Sequence, residues 1–158
     1  MRVPDPATLV RRVMRGDRWA ALAGATLAEV REGYARVRMR LRPDHLNGVG
    51  VVQGGAIFTL ADFAFAVCSN SHGIVAVALD VAITFARAAR TGVLVAEARE
   101  ESVSRRVSVC NVRVTDAGGE VVALFRGTAF RKDDSLASVL AASRAPRARP
   151  ARRRRGGR

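Results

Sequence analysis

Residues 53–63 read QGGAIFTLADF, from Gln53 to Phe63. Two glycines open an apolar run that holds a single carboxylate, Asp62. Gly54 to about Ser69 reads as a helix that is apolar on nearly every face, so it is predicted to be buried rather than amphipathic. Asn70-Ser-His-Gly73 closes it, with Gly73 placed as the C-cap residue. A charge in such a helix is costly unless it is paired or used. No Arg or Lys stands three or four residues from Asp62 to pair with it. Gly55, Thr59, Asp62 and Ala66 share one helical stripe, the one that is small or polar, and Thr59 is close enough to hydrogen-bond the carboxylate.

Upstream, Asp5 to Met14 predicts a short helix with Asp5 as N-cap and Pro6 at its first position. Gly24–Gly33 and Tyr34–Pro43 follow as strands joined at a tight Glu-Gly-Tyr turn. The second alternates: Tyr34, Arg36, Arg38, Arg40 and Arg42 fall on one face, Ala35, Val37, Met39 and Leu41 on the other. Downstream, Ile74–Ala86, Gly92–Ser104, Arg105–Thr115 and Glu120–Arg131 read as strands, with Asp116-Ala-Gly-Gly119 as a hairpin turn. Two strands, a long buried helix and four strands are not the alternation of a Rossmann fold. They fit an α+β hotdog fold: a buried central helix wrapped by a curved, antiparallel, six-stranded sheet. Residues 1–19 form the helix and lead-in, 20–132 the hotdog domain, and 133–158 an extension. Within that extension, Ser135–Ser143 is a frayed helix and the Arg/Ala/Pro tail from about residue 144 is predicted disordered.

A chain of 158 residues suits one domain. The net charge of +13 suggests nucleic acid, yet Arg144–Arg158 alone carries eight Arg and no acid. Without it 19 basic and 14 acidic residues remain, a body of +5 with no basic helix interleaved with aromatics, so no specific nucleic-acid partner is expected. Cys68 and Cys110 form neither a CxxC nor a disulfide framework, which fits a reducing cytoplasm. Met1–Asp17 has no apolar leader core, and the apolar run Ala56–Cys68 is too short to span a bilayer, so no membrane partner is expected.

The loop HLNGVGVVQGG followed by AIFTLAD, together with FAFAVCSNSHG, ITFARAARTG and GEVVALFRGTAFR, resembles the phenylacetate-pathway (PaaI-type) branch of the 4-hydroxybenzoyl-CoA thioesterase superfamily. The resemblance covers about Leu41 to Arg131. Gln53 stands where the family has a histidine, and Ala88 where it has a proline. Ala78 is the nearest counterpart of a Ser or Thr that some relatives carry. The resemblance implies hydrolysis of a CoA thioester without cofactor or metal, on aryl-acyl groups such as phenylacetyl-CoA derivatives or on medium-chain acyl groups. It also implies hotdog homodimers with composite sites, assembled as homotetramers.

Thioester hydrolysis needs an oxyanion donor, a nucleophile or base, and a slot for the acyl-CoA. The Gly55 N–H at a helix N-terminus is the candidate donor, since free amides and the positive dipole end meet there. Losing such a donor typically costs about 3–4 kcal/mol. Gly54-Gly55 can instead simply pack a tight loop into a helix. Asp62 is the candidate nucleophile or general base, and both roles stay open. Gly55 and Asp62 are seven residues apart, about 10 Å along a helix. Both must reach one carbonyl, so the site pairs Gly55 of one subunit with Asp62 of another. Asn47 resembles the family asparagine that orients water or thioester, and reads equally as a turn residue before Gly48. Gln53, Gly54 and Thr59 are candidate substrate-binding residues. Arg87, Arg90, Arg105 and Arg106 are candidates for the CoA phosphates that a solvated face explains equally well. His45 reads as a loop residue, His72 as a helix-end residue and Cys68 as core; the histidines lack metal-ligand spacing. An acyl-CoA binding or sensing protein is the competing reading.

Overall fold

The structure is a computed structural model and describes residues 4–144; the expected disordered tail lies outside them, apart from its first residue. Helix α1 (Pro6–Met14) starts at Asp5, whose side chain accepts from the Thr8 N–H. Helix α2 (Arg18–Ala23) starts at Asp17 and stops at Gly24, which has a left-handed backbone with φ of 75°. Strands β1 (Ala25–Arg31) and β2 (Tyr34–Arg40) form the expected hairpin, followed by the long central helix α3 (Gly54–Ser69). Strands β3 (Ile74–Phe85), β4 (Val93–Val103), β5 (Val107–Thr115) and β6 (Val121–Ser135) complete the sheet. Helix α4 (Leu136–Arg144) closes the described chain against α1 and β6. Helix α2 is not among the predicted elements, and β6 runs past residue 132 to Ser135.

The sheet is antiparallel, in the order β1-β2-β4-β5-β6-β3. Alternate residues face α3: Ala35, Val37 and Met39 on β2, Leu94, Ala96 and Ala98 on β4, and Cys110, Val112 and Val114 on β5 are all buried. Most of α3 is buried against them, from Ile57 and Leu60 through Phe65 to Cys68, as a helix without a wet face requires. Each large apolar side chain enclosed in this way contributes on the order of 1.5–3 kcal/mol.

Local readings change in two places. Tyr34 lies on the arginine face of β2, yet it is buried because the Arg31 and Arg99 guanidinium groups cover its ring at 3.8 and 4.9 Å. The C-cap of α3 is Asn70 rather than Gly73. Its Nδ2 donates to Ala66 O and Ala76 O while Oδ1 accepts from the Ala76 N–H, fastening the helix end to β3. Gly73, with φ of 77°, makes the turn that follows. His72 and Ser108 both bond to Glu100, at 2.6 and 2.5 Å. The acid therefore bridges the other two, and the serine has no histidine beside it to act as base.

Gly127 on β6 is required by packing. A Cβ there would stand 2.8 Å from the Phe65 ring, which also packs against Phe125 with centroids 5.7 Å apart. Gly127→Ala should destabilise the fold by about 1–3 kcal/mol through overpacking. Urea unfolding checks this, and an unchanged midpoint would mean that Phe65 yields freely.

Candidate active site

The loop between β2 and α3 is braced before the helix begins. Pro43–His45 form a 3₁₀ turn, and Leu46 pairs with Val52. The Gln53 N–H donates to His45 O, and the Val52 N–H to Ala89 O, both at 2.8 Å. Asn47 Oδ1 accepts from the Val49 and Val51 N–H groups at 3.0 and 3.2 Å. Its oxygen thus shapes the turn, which leaves the amide nitrogen as the atom it can offer a ligand.

At the helix start, the Gln53 side chain is the N-cap and accepts from the Gly55 N–H. The residue at the histidine position therefore covers the amide singled out as an oxyanion donor. Gly54 sits close under the Phe85 ring: a Cβ there would lie 3.1 Å from it, so that half-exposed ring would have to give by a few tenths of an ångström. Gln53 and Gly55, both exposed, line a cleft of about 660 Å³ with Phe58, Thr59 and Trp19.

Asp62 is half-buried two turns along and lines a smaller notch of about 120 Å³ with Asp17, Thr59 and Phe63. No hydrogen bond or ion pair to its carboxylate occurs among the described residues. Burial raises its pKa above the ordinary carboxylate value, and the nearby Asp17 charge raises it further. Thr59 does not bond Asp62; its Oγ1 accepts from Trp19 Nε1–H at 3.0 Å. The Cys68 thiol is fully buried, and its hydrogen bond with Cys110 and its burial push its pKa up, which removes it as a nucleophile.

The arginines fall at opposite ends of the molecule. Arg90 donates to Gly50 O at 3.0 Å, beside the cleft, and Arg87 pairs with Asp116 at 2.5 Å. Arg105 and Arg106 lie beyond the far end of β4, whose eleven residues cover about 35 Å. Arg106 there pairs with Asp133 at 2.9 Å. His45 is buried rather than a free loop residue: Nδ1 accepts from the Arg42 N–H at 3.1 Å, so Nε2 carries the proton it donates to Ala23 O at 3.0 Å. Sequence reasoning missed Asp17 and Trp19. Their signal is DRWAALAG, an N-cap residue and a terminal glycine bracketing six residues.

The residue pattern of the thioesterase superfamily matches residues 49–123. The chain is 35% identical to the acyl-coenzyme A thioesterase PaaI of Escherichia coli over 116 residues, 73% of this chain and 83% of that protein. The solved structure of E. coli PaaI is similar with a TM-score of 0.79 at 32% identity, covering 82% of this chain and 96% of that one. The phenylacetic acid degradation protein PaaI of Thermus thermophilus, as a single-residue mutant, gives 0.71 at 38% identity, covering 73% and 100%. A Streptococcus mutans protein solved with acetyl-CoA gives 0.66 at 28% identity, covering 68% and 88%.

The raised Asp62 pKa has a consequence for stability. The folded state holds this proton more tightly than the unfolded chain, so stability falls as pH rises from the ordinary carboxylate value through the raised one. Asp62→Asn should therefore melt at a higher temperature than the wild type at neutral pH. The gap should close in acid, where Asp62 is protonated in both states. Thermal melts of both proteins across pH check this, and a gap independent of pH would contradict it.

Proposed function

The chain belongs to the thioesterase superfamily and is a thioester hydrolase of that family, and from this premise we propose that it hydrolyses acyl-CoA esters to a free acid and coenzyme A. The acyl group is an aryl-acyl group such as a phenylacetyl derivative, or a medium-chain group, in a chain whose two free thiols suit the cytoplasm. The observation that carries this reading is the single stripe of α3, where the glycine at the helix start and a carboxylate without a partner among the described residues both line hollows.

The Gln53 amide oxygen stands in for a thioester carbonyl oxygen on the Gly55 N–H. Substrate entry turns Gln53 aside, and the carbonyl oxygen takes its place at the positive end of the helix. Asp62 then attacks the thioester carbon to give a mixed anhydride that water opens. Alternatively it takes a proton from the water that attacks. Either route consumes one water and expels CoA as its thiol. Its raised pKa makes Asp62 a stronger base than an exposed aspartate.

Gly55 and Asp62 are about 10 Å apart along one helix, too far to serve one carbonyl. The Gly55 amide therefore works with Asp62 of the partner subunit. An exposed edge supports such a partner: β3 ends the sheet and presents Val77, Leu79 and Phe85 to solvent. The assembly in this reading is a homodimer with two composite sites, doubled to a homotetramer as the family resemblance implies. Arg90 lies at the cleft end of the sheet, where CoA phosphates would run, whereas Arg105 and Arg106 lie past the other end of β4, away from this cleft.

One observation favours a binding or sensing role instead: the Gln53 cap over the Gly55 N–H. Thiol release from a panel of aromatic and straight-chain CoA esters is the expected result, and calorimetric binding without thiol release would select the second role.

The composite site is tested with two inactive parents, Asp62→Asn and Gly55→Pro, the latter removing the donor where a helix start tolerates proline. Unfolded together and refolded, about half the dimers are mixed. Each mixed dimer holds one intact site, so activity should return to about a quarter of wild type. No recovery between parents shown to fold and exchange chains would place both groups' action within one chain.

A further inference from the structure

Helix α2 is short, yet it is fastened along its whole length. Asp17 caps its start, accepting from the Ala20 N–H at 2.9 Å. At its end, Arg42 Nη2 donates to Leu22 O at 2.9 Å and His45 Nε2 donates to Ala23 O. In between, Trp19 Nε1–H is tied to Thr59 on α3. These bonds satisfy the polar atom of the indole and fix the direction of its ring. Trp19 is nevertheless 64% exposed as a residue, a large apolar side chain held in place at the surface.

That surface faces both hollows described above. Trp19 lines the cleft with Gln53 and Gly55 and, like Thr59, also the notch with Asp62, so each protomer's indole borders both halves from which a composite site would be built. Phe58 borders the same two hollows and Phe63 the notch. With its N–H engaged, Trp19 has only a π-face to offer, and offset stacking on such a face rewards a flat ring. A flexible saturated chain gains less there and loses rotamer freedom on being ordered.

Resting on the acyl-CoA hydrolase reading, we propose that Trp19 is the acyl-selecting wall of the site and favours aryl-acyl over straight-chain CoA esters. It is a specificity residue that touches the acyl group and leaves the bond-breaking groups to act elsewhere.

The test measures kcat/KM on phenylacetyl-CoA and hexanoyl-CoA for wild type, Trp19→Phe and Trp19→Ala, with gel filtration of each. Trp19→Ala should lose about tenfold on the aryl ester and less than about threefold on the straight-chain one. Trp19→Phe, which keeps a ring and loses the N–H, should retain most of the aryl preference. Trp19 is the sole tryptophan of the chain. Its emission should therefore change saturably when Asp62→Asn protein is titrated with intact phenylacetyl-CoA, and less with free CoA. Equal losses on both esters, an emission unmoved by saturating ester, or a change of oligomeric state with parallel loss on both esters would overturn the proposal while the hydrolase reading stands. Thiol release from neither ester by the wild type would bring down both.

Discussion

A sixteen-residue helix that is apolar on nearly every side has to be enclosed, and the rest of the molecule is arranged to enclose it. An antiparallel sheet wide enough to curve supplies most of the cover, presenting alternate residues of β2, β4 and β5 to α3. Glycine at 127 brings β6 close enough for Phe65 to lie against its backbone. Asn70 fixes where the helix ends and β3 begins, so the helix is held by hydrogen bonds at that end as well as by packing. What the sheet does not reach is the stripe of Gly55, Thr59, Asp62 and Ala66. The candidate site lies along that strip.

The strip carries a deliberate expense. A half-buried carboxylate with no partner among the described residues is worse placed than one in water, and a second acid, Asp17, stands near it. Nothing in the packing of α3 calls for an acid there, since small apolar neighbours would fill the same stripe. A residue that weakens the fold and adds basicity is the sort of local conflict that accompanies a functional site. The same contrast separates Asp62 from the Glu100 group. Glu100 is also shielded from water, but it is satisfied by His72 and Ser108 and does structural work at the other end of the molecule.

Helix α2 and the loop after β2 turn the bare strip into a shaped site. Arg42 and His45 reach from that loop to the end of α2, while Trp19 reaches from α2 to Thr59. Loop, short helix and central helix are therefore one hydrogen-bonded unit around the two hollows. Gln53 completes it by capping α3 from within the loop, which ties the helix start and the position of the Gly55 amide to a single side chain.

The sequence by itself determined the central helix, the six strands and their succession along the chain, because each rests on short-range periodicity and turn residues. It also singled out Asp62, since an acid in an all-apolar helix stands out without any knowledge of its neighbours. Helix α2 escaped because six residues are too few to show a period, even between Asp17 and Gly24. The tertiary structure alone decided which long-range partner each polar atom found. Thr59 faces Trp19, forty residues earlier, rather than Asp62, and His45 turns inward to Ala23. Tyr34 is buried by arginines from its own hairpin and from β4. Sheet register sent Arg90 to the cleft and Arg105 and Arg106 to the far end of the molecule, a separation set by the length of β4. Hydrogen-bond partners and register depend on where distant segments cross in space, and no local window of residues encodes that.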